Sequence, residues 1–417
     1  MTDSNQARTD SPVGVGDALT DLLATAQKLF DGSVSERTQV QPNTARSEPG
    51  QLAFGIVPNA RSPRLLVPLV PKRAAGNALR RFSTATPLRE AAFRVLVSKA
   101  VALKPTRILR DQISIESRGT GLADHVSEAL GDQVTLSLGI GNARVNRKPV
   151  LQVFDRRGNT VAFAKIGDSD LGRQDVTAEG RALRELGARQ WSRLRIPQFI
   201  SETDWRGMRV LLMSALEVPP LQRPRERWEP PLAAMSELSD AFSAGSVCLD
   251  ESSWIDRQRQ LGSRVRDESV RRRFARCVDF VCRWSGQDLL PFSCWHGDWT
   301  AWNMGRARGK ILLWDWERFE TAVPSGLDPL HYHVNSVTVR SGSSIDAFRR
   351  GVALSLGGAP RPGSPEHLRA CLYLIAVIAR YLGVIETPRG PDIAGRAADA
   401  LSALEGEIAT VPRRRSC

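Results

Sequence analysis

A chain of 417 residues with 41% hydrophobic side chains is long enough for two ordinary domains and apolar enough to bury real cores, which excludes a protein disordered throughout. Its formal net charge of +13, from 58 Lys and Arg against 45 Asp and Glu, invites a nucleic-acid partner, because a basic surface collects phosphates. The distribution argues against one: lysine occurs only at Lys28, Lys72, Lys99, Lys104, Lys148, Lys165 and Lys310, and arginine is spread along the whole chain instead of gathering on one stripe.

Residues 1–50 are rich in Ser, Thr, Asp, Asn, Gln, Arg and Pro, with one apolar patch from Ala18 to Phe30, and read as a mostly disordered tail carrying one short helix. The start has neither the basic residues nor the apolar stretch of a signal peptide. Residues 51–125 form an extension without assignable chemistry, in which Leu65 to Val70 reads as a strand and Ala74 to Leu103 as helix. From Gln133 the period becomes two: Val134 to Gly139, Val150 to Asp155 and Thr160 to Ile166 read as three antiparallel strands, with a tight turn at Arg157-Gly158-Asn159.

A helix over Val176 to Leu186 and a strand pair around Phe199 to Ser201 and Arg209 to Met213 complete a strand-rich lobe over 130–217. Pro219-Pro220 marks its end, and 218–412 reads as a helical lobe through Pro231 to Ala244, Trp254 to Trp284, His367 to Leu382 and Ile393 to Glu407. The apolar run Ala370 to Ile385 is shorter than a membrane span and is interrupted by Arg380, so a buried helix explains it better. Six cysteines with no CxxC pair suggest reduced thiols, and with no secretion or membrane signal the expected compartment is the cytoplasm.

The chemistry concentrates in residues 294–317, CWHGDWTAWNMGRARGKILLWDWE. Trp302 to Gly305 and Ile311 to Trp314 pair as a hairpin turning at Arg308-Gly309, in a register that sets Asn303 and Asp315 opposite each other. Two oxygen-bearing side chains there suit magnesium, which takes few protein oxygens and completes its shell with water and phosphate. Asp298, at the mouth of the same loop, is then placed to accept the proton of an attacking hydroxyl. Trp299 and Trp302 flank it and read chiefly as core, while His125, His331, His333 and His367 show no ligand spacing with the cysteines.

This segment resembles the catalytic and metal-binding loops of the aminoglycoside phosphotransferase and choline kinase families, in which HGD, four residues and Asn precede an apolar strand ending in Asp. The resemblance covers about residues 130–410. It implies an α+β, two-lobed protein-kinase-like fold, with an antiparallel-sheet N-lobe and a helical C-lobe. It implies Asp298 as catalytic base, Asn303 and Asp315 as Mg²⁺ ligands, and His296 as an orienting residue. Gly326-Leu327-Asp328-Pro329 resembles the Gly-Asp-Pro stretch of these families with one residue inserted, and Asp328 is given a structural role.

Upstream, Lys165 at the end of an alternating strand and Glu179 on the following helix resemble the kinase ion pair that positions nucleotide phosphates, with Glu185 as the other partner. Gly139, Gly141 and Asn142, with Arg144, lie between strands where backbone amides would cover the phosphates, although only two glycines of the fuller kinase pattern are present. The resemblance places an adenine-binding connector at Leu211 to Leu216. Gly297 stands where eukaryotic protein kinases have an arginine, and Trp316-Glu317 replaces Phe-Gly, which points to a small-molecule kinase.

The expected function is transfer of the γ-phosphate of ATP or GTP to a hydroxyl of a small molecule, with Mg²⁺. The alternative is a nucleotide-binding pseudokinase or scaffold whose amino-terminal segment docks a partner. The basic chain favours an anionic or neutral acceptor over a polycationic aminoglycoside.

Overall fold

The computed structural model describes residues 15–30, 32–37, 51–80, 88–117, 120–139, 149–219, 222, 228–387 and 390–412. The chain divides into two compact units, one comprising 1–83, 89–173 and 200–215, the other 84–88, 174–199 and 216–417.

The first unit contains α1 (Val15–Phe30), β1 (Gly32–Arg37), β2 (Gln51–Val57), β3 (Leu65–Pro68), α2 (Lys72–Arg80), α3 (Leu88–Leu103), α4 (Pro105–Ile108), β4 (Gln112–Ser117), α5 (Leu122–Leu130), β5 (Thr135–Gly139), β6 (Val150–Phe154) and β7 (Thr160–Gly167). The chain then passes through α6 (Asp170–Gly187) and β8 (Leu194–Arg195), most of which belong to the second unit, before β9 (Phe199–Trp205) and β10 (Met208–Ser214). All strands of the first unit join one nine-stranded sheet, in the order β1-β4-β2-β3-β5-β6-β7-β10-β9, and every pairing from β1 to β10 is antiparallel.

The alternation along β7 dictates its faces: Ala162, Ala164 and Ile166 are fully buried with Leu136, Leu138, Leu151 and Val153, while Phe163 and Lys165 take the other face. The β6–β7 turn closes as expected at 157–159, because the Asp155 carboxylate accepts the N–H groups of Arg157 and Asn159, and Gly158 adopts φ 78°.

The expected tail and separate extension differ from what is observed. Residues 51–117 supply β2, β3 and β4 to the same sheet as β5–β7, so no structural boundary falls near 125–130. On α1, Leu22, Ala26, Leu29 and Phe30 recur at helical spacing and are buried in that sheet's core, which makes this part of the presumed tail a core element; residues 1–14 and 38–50 lie outside the described residues. The helix expected over Ala74 to Leu103 is two, α2 and α3, with 81–87 between them outside the described residues.

The second unit continues with α7 (Leu232–Ala241), β11 (Ser246–Cys248), α8 (Ser253–Ser263), α9 (Glu268–Ser285), β12 (Leu289–Trp295), β13 (Met304–Ala307), β14 (Lys310–Leu313), β15 (Glu320–Pro324), α10 (Leu327–Ser341), α11 (Ile345–Leu356), α12 (Pro365–Ile385) and α13 (Gly390–Ala409). Two small sheets, β11-β12-β15 and β13-β14-β8, accompany the helices. The single helix expected over Trp254 to Trp284 is two because Ser252 and Asp267 each cap a new start, accepting from Ile255 N–H at 3.3 Å and Val270 N–H at 3.2 Å.

Helix α12 is long and apolar enough to cross a membrane, but 67% of its apolar window is buried against its own unit, as a core helix requires. The described cysteines, Cys248, Cys277, Cys282, Cys294 and Cys371, are free and buried.

Helices α10 and α11 meet at Gly351, where an added Cβ would lie 2.4 Å from Val334 Cα. Backbone cannot retreat cheaply, so Gly351→Ala is expected to lose about 1–3 kcal/mol in urea unfolding, against the ~1 kcal/mol gain of an ordinary helical Gly-to-Ala change.

Candidate active site

Strand β12 delivers His296-Gly297-Asp298, and the β13–β14 hairpin delivers Asn303 and Asp315. Gly297 turns the chain with φ 79°, and a Cβ there would lie 2.4 Å from Arg318 O. Glycine is therefore required by conformation and by space. Beyond the turn, the carboxylate of buried Asp328 accepts His296 N–H at 2.8 Å and Gly297 N–H at 3.2 Å.

His296 has no exposed surface. Its Nε2 lies 3.2 Å from Trp314 O, and its Nδ1 accepts Asp298 N–H at 3.2 Å, which fixes the neutral tautomer with the proton on Nε2. Burial holds its pKa down to about 4, against the opposing pull of Asp298 and Asp315. Burial likewise pushes Asp328 up to about 7, although the two N–H donors and Arg380 favour its charged form.

The Asp298 side chain, 29% exposed, is gripped on both oxygens. Oδ2 accepts from Asn303 Nδ2 at 2.9 Å, and Oδ1 lies 3.1 Å from His331 Nε2. His331 Nδ1 in turn lies 3.4 Å from Tyr373 Oη. Burial raises the tyrosine pKa well above its ordinary value, so it remains a donor, leaving Nε2–H of a neutral His331 for Asp298. Burial also lowers His331, which keeps it neutral. For Asp298 burial acts upward, but the hydrogen bond from His331 and the field of Arg318 leave it below the usual carboxylate value.

The hairpin register is one residue away from the expected one. Arg308 (φ 50°) and Gly309 (φ 76°) form a two-residue turn with both φ positive, and the ladder pairs Met304 with Leu313. Trp314, not Asp315, is therefore opposite Asn303, and its N–H donates to Asn303 O at 3.1 Å. Asp315 follows in the left-handed conformation, φ 72° and ψ 59°, at the head of a 3₁₀ turn over Trp316–Arg318.

One oxygen each of Glu179, Asp315 and Glu317 lie within 4.8 Å of one another, and Trp316 N–H donates to Glu179 Oε1 at 3.3 Å. The structure thus brings Asp315 together with Glu179 and Glu317, and Asn303 with Asp298. Glu179 is fully buried on α6 in the second unit, and Glu185 is exposed.

Lys165 belongs to the first unit, half-buried on β7 between Val150 and Leu211. Gly139 ends β5, paired with Val150; Gly141, Asn142 and Arg144 lie outside the described residues. Leu211 to Ser214 of the expected connector are part of β10. Trp299 is wholly buried beside His296 at 5.9 Å between ring centroids, whereas Trp302 is 39% exposed.

Four residues near Asp298 were not singled out by spacing: His331, Tyr373, Arg318 and Arg380. His331 carried a usable signal, since it stands three residues after Asp328 and so shares its helix face. Arg380 interrupts the apolar α12 because its Nη1 donates to Gly297 O at 2.5 Å and its guanidinium lies 4.7 Å from the Trp295 ring centroid.

No family model matches the chain, and no curated protein matches it in sequence. Solved structures do. A thermostable mutant of aminoglycoside phosphotransferase APH(4)-Ia, in a ternary complex with ADP and hygromycin B, is 12% identical, with 70% of this chain and 99% of that one covered at a TM-score of 0.47. The gentamicin complex of APH(2″)-IIa is 11% identical over 69% and 97% at 0.42. Amicoumacin kinase hAmiN, bound to AMP-PNP, Ca²⁺ and Ami, is 11% identical over 67% and 90% at 0.37.

The two buried neighbours His296 and Asp328 give opposite pH slopes. The His296 pKa near 4 in the fold lies below the unfolded value, so its contribution is complete above about pH 6.5 and is lost as pH falls toward 4. The Asp328 pKa near 7 lies above its unfolded value, so stability falls as pH rises from about 4 to 7. In His296→Asn only the second slope remains: the stability advantage of wild type over this variant is expected to grow by up to ~3 kcal/mol between pH 4 and 6.5, read by urea unfolding.

Proposed function

We propose that the chain is a small-molecule kinase, transferring the γ-phosphate of a nucleoside triphosphate to a hydroxyl of its acceptor. The observation that carries this reading is the Asp298 carboxylate: partly exposed, held on both oxygens by Asn303 and His331, and kept ionised against the charge of Asp315, itself one of three clustered carboxylates. A carboxylate so oriented accepts the proton of an attacking hydroxyl.

The donor set fits magnesium. Asp315, Glu317 and Glu179 offer hard carboxylate oxygens within 4.8 Å of one another, with no sulfur or imidazole among them. Asp315 would hold the ion with Asn303 or Glu317, and the bound ion would neutralise charge on the transferring phosphoryl group. Lys165 and Gly139 of the first unit, with Gly141 and Asn142, are assigned to the nucleotide phosphates, the lysine as their counter-charge.

In the transfer, the acceptor oxygen bonds to the γ-phosphorus while the bond from that phosphorus to the β–γ bridging oxygen breaks. The nucleoside diphosphate departs with the bonding pair, and the hydroxyl proton passes to Asp298. His331 prevents the carboxylate from rotating away, and Tyr373 fixes the His331 tautomer that donates to it.

Asp298→Asn is expected to lower kcat for nucleotide turnover by roughly 10²–10⁴-fold with a smaller change in KM for the nucleotide. Unchanged turnover would remove the mechanism. Asp315→Asn, which keeps the left-handed conformation accessible, is expected to raise the magnesium concentration for half-maximal turnover by roughly 10–100-fold.

A further inference from the structure

Two arginines close on Gly297, the residue before Asp298. A Cβ at Gly297 would lie 3.1 Å from Arg318 Cβ and 3.1 Å from Arg380 Nη2. Arg380 is committed to the fold, through Gly297 O and the Trp295 ring. Arg318 is not. It ends the 3₁₀ turn after Asp315, is half-buried, and has no ion pair or side-chain hydrogen bond among the described residues.

Three acids on this side of the loop are engaged by other groups. Glu320 is taken by Arg257 at 2.8 Å and lies 3.4 Å from Trp295 Nε1. Asp298 is held by His331 and Asn303, and Asp328 by two backbone N–H groups. The field of Arg318 nevertheless reaches this side of the loop: it acts on Asp298, His331, Arg380 and Tyr381, and at Tyr381 the exposed Arg396 adds to it. A cationic group set against Arg318 would meet like charge, whereas an anionic group there would pair with a guanidinium that has no ion-pair partner among the described residues.

We infer that the hydroxyl acceptor carries an acidic group, a carboxylate or a phosphate monoester, that pairs with Arg318 while its hydroxyl is presented to Asp298. This deepens the kinase reading and rests on it. The transfer balances as before, with the hydroxyl proton going to Asp298 and the acidic group of the acceptor unchanged.

The test is transfer of label from γ-labelled Mg-ATP by the full chain to matched acceptors: glycerate, gluconate and glucose 6-phosphate against glycerol, glucose and kanamycin. At least one anionic compound is expected to accept phosphate with kcat/KM about tenfold or more above its neutral counterpart, the carboxylate and phosphate arms deciding which acid is preferred. Arg318→Gln is expected to raise KM for that acceptor about 10–100-fold with a much smaller fall in kcat, and Arg318→Lys to recover part of the loss.

Transfer confined to neutral or cationic compounds, or hydrolysis of ATP with no anionic acceptor used, overturns the inference and leaves the kinase reading standing. An Arg318→Gln defect that falls on KM for ATP instead of the acceptor also overturns it, by assigning the arginine to the nucleotide. If wild type neither transfers nor hydrolyses, the kinase reading itself fails.

Discussion

A single buried carboxylate shapes the loop. Asp328 accepts the N–H groups of His296 and Gly297, and each such bond to a charged or partly charged acceptor contributes about 1.5–3 kcal/mol. Without it the left-handed turn at Gly297 would leave two buried donors without partners, one residue before Asp298. His296 completes the clamp by linking the loop to Trp314 at the end of the hairpin. Loop and hairpin are thereby tied to each other by a buried hydrogen bond.

Helix α10 links that clamp to the chemistry. Asp328 in its first turn fixes the backbone of the loop, and His331 one turn later fixes the side chain of Asp298. The same helix face thus sets position and orientation, and Tyr373 on the buried α12 locks the tautomer. Arg380, also on α12, holds the carbonyl of the loop's glycine. An apolar core helix consequently sends two polar groups toward one short loop.

Much of this was legible in the sequence because it depends on local pattern. The alternation of β5–β7, the Arg157-Gly158-Asn159 turn and the order His296-Gly297-Asp298, Asn303, Asp315 are all encoded within short windows. The hairpin register was missed by one residue, since a two-residue turn with positive φ at Arg308 and Gly309 pairs 307 with 310 and cannot be centred on one residue. The contribution of residues 51–117 to the sheet was hidden because β4 inserts between β1 and β2, a long-range pairing that no local period reveals. The part played by Tyr373 and Arg380 was hidden for a related reason: they lie far along the chain from the loop, and although Arg380 stands out as the charge in an apolar helix, nothing local says what it contacts.

The left-handed backbone at Asp315 restricts which chemistry that position can host. At φ 72° and ψ 59° most side chains are strained, and the types that tolerate the conformation are glycine, asparagine and aspartate. Glycine offers no ligand atom, and asparagine offers one neutral oxygen where aspartate offers a charged pair. The turn that carries the chain from β14 into the 3₁₀ segment thus favours two oxygen-bearing residues at this position before any metal or phosphate is considered. Between the two favoured residues the difference is one of charge, and a ligand oxygen is common to both.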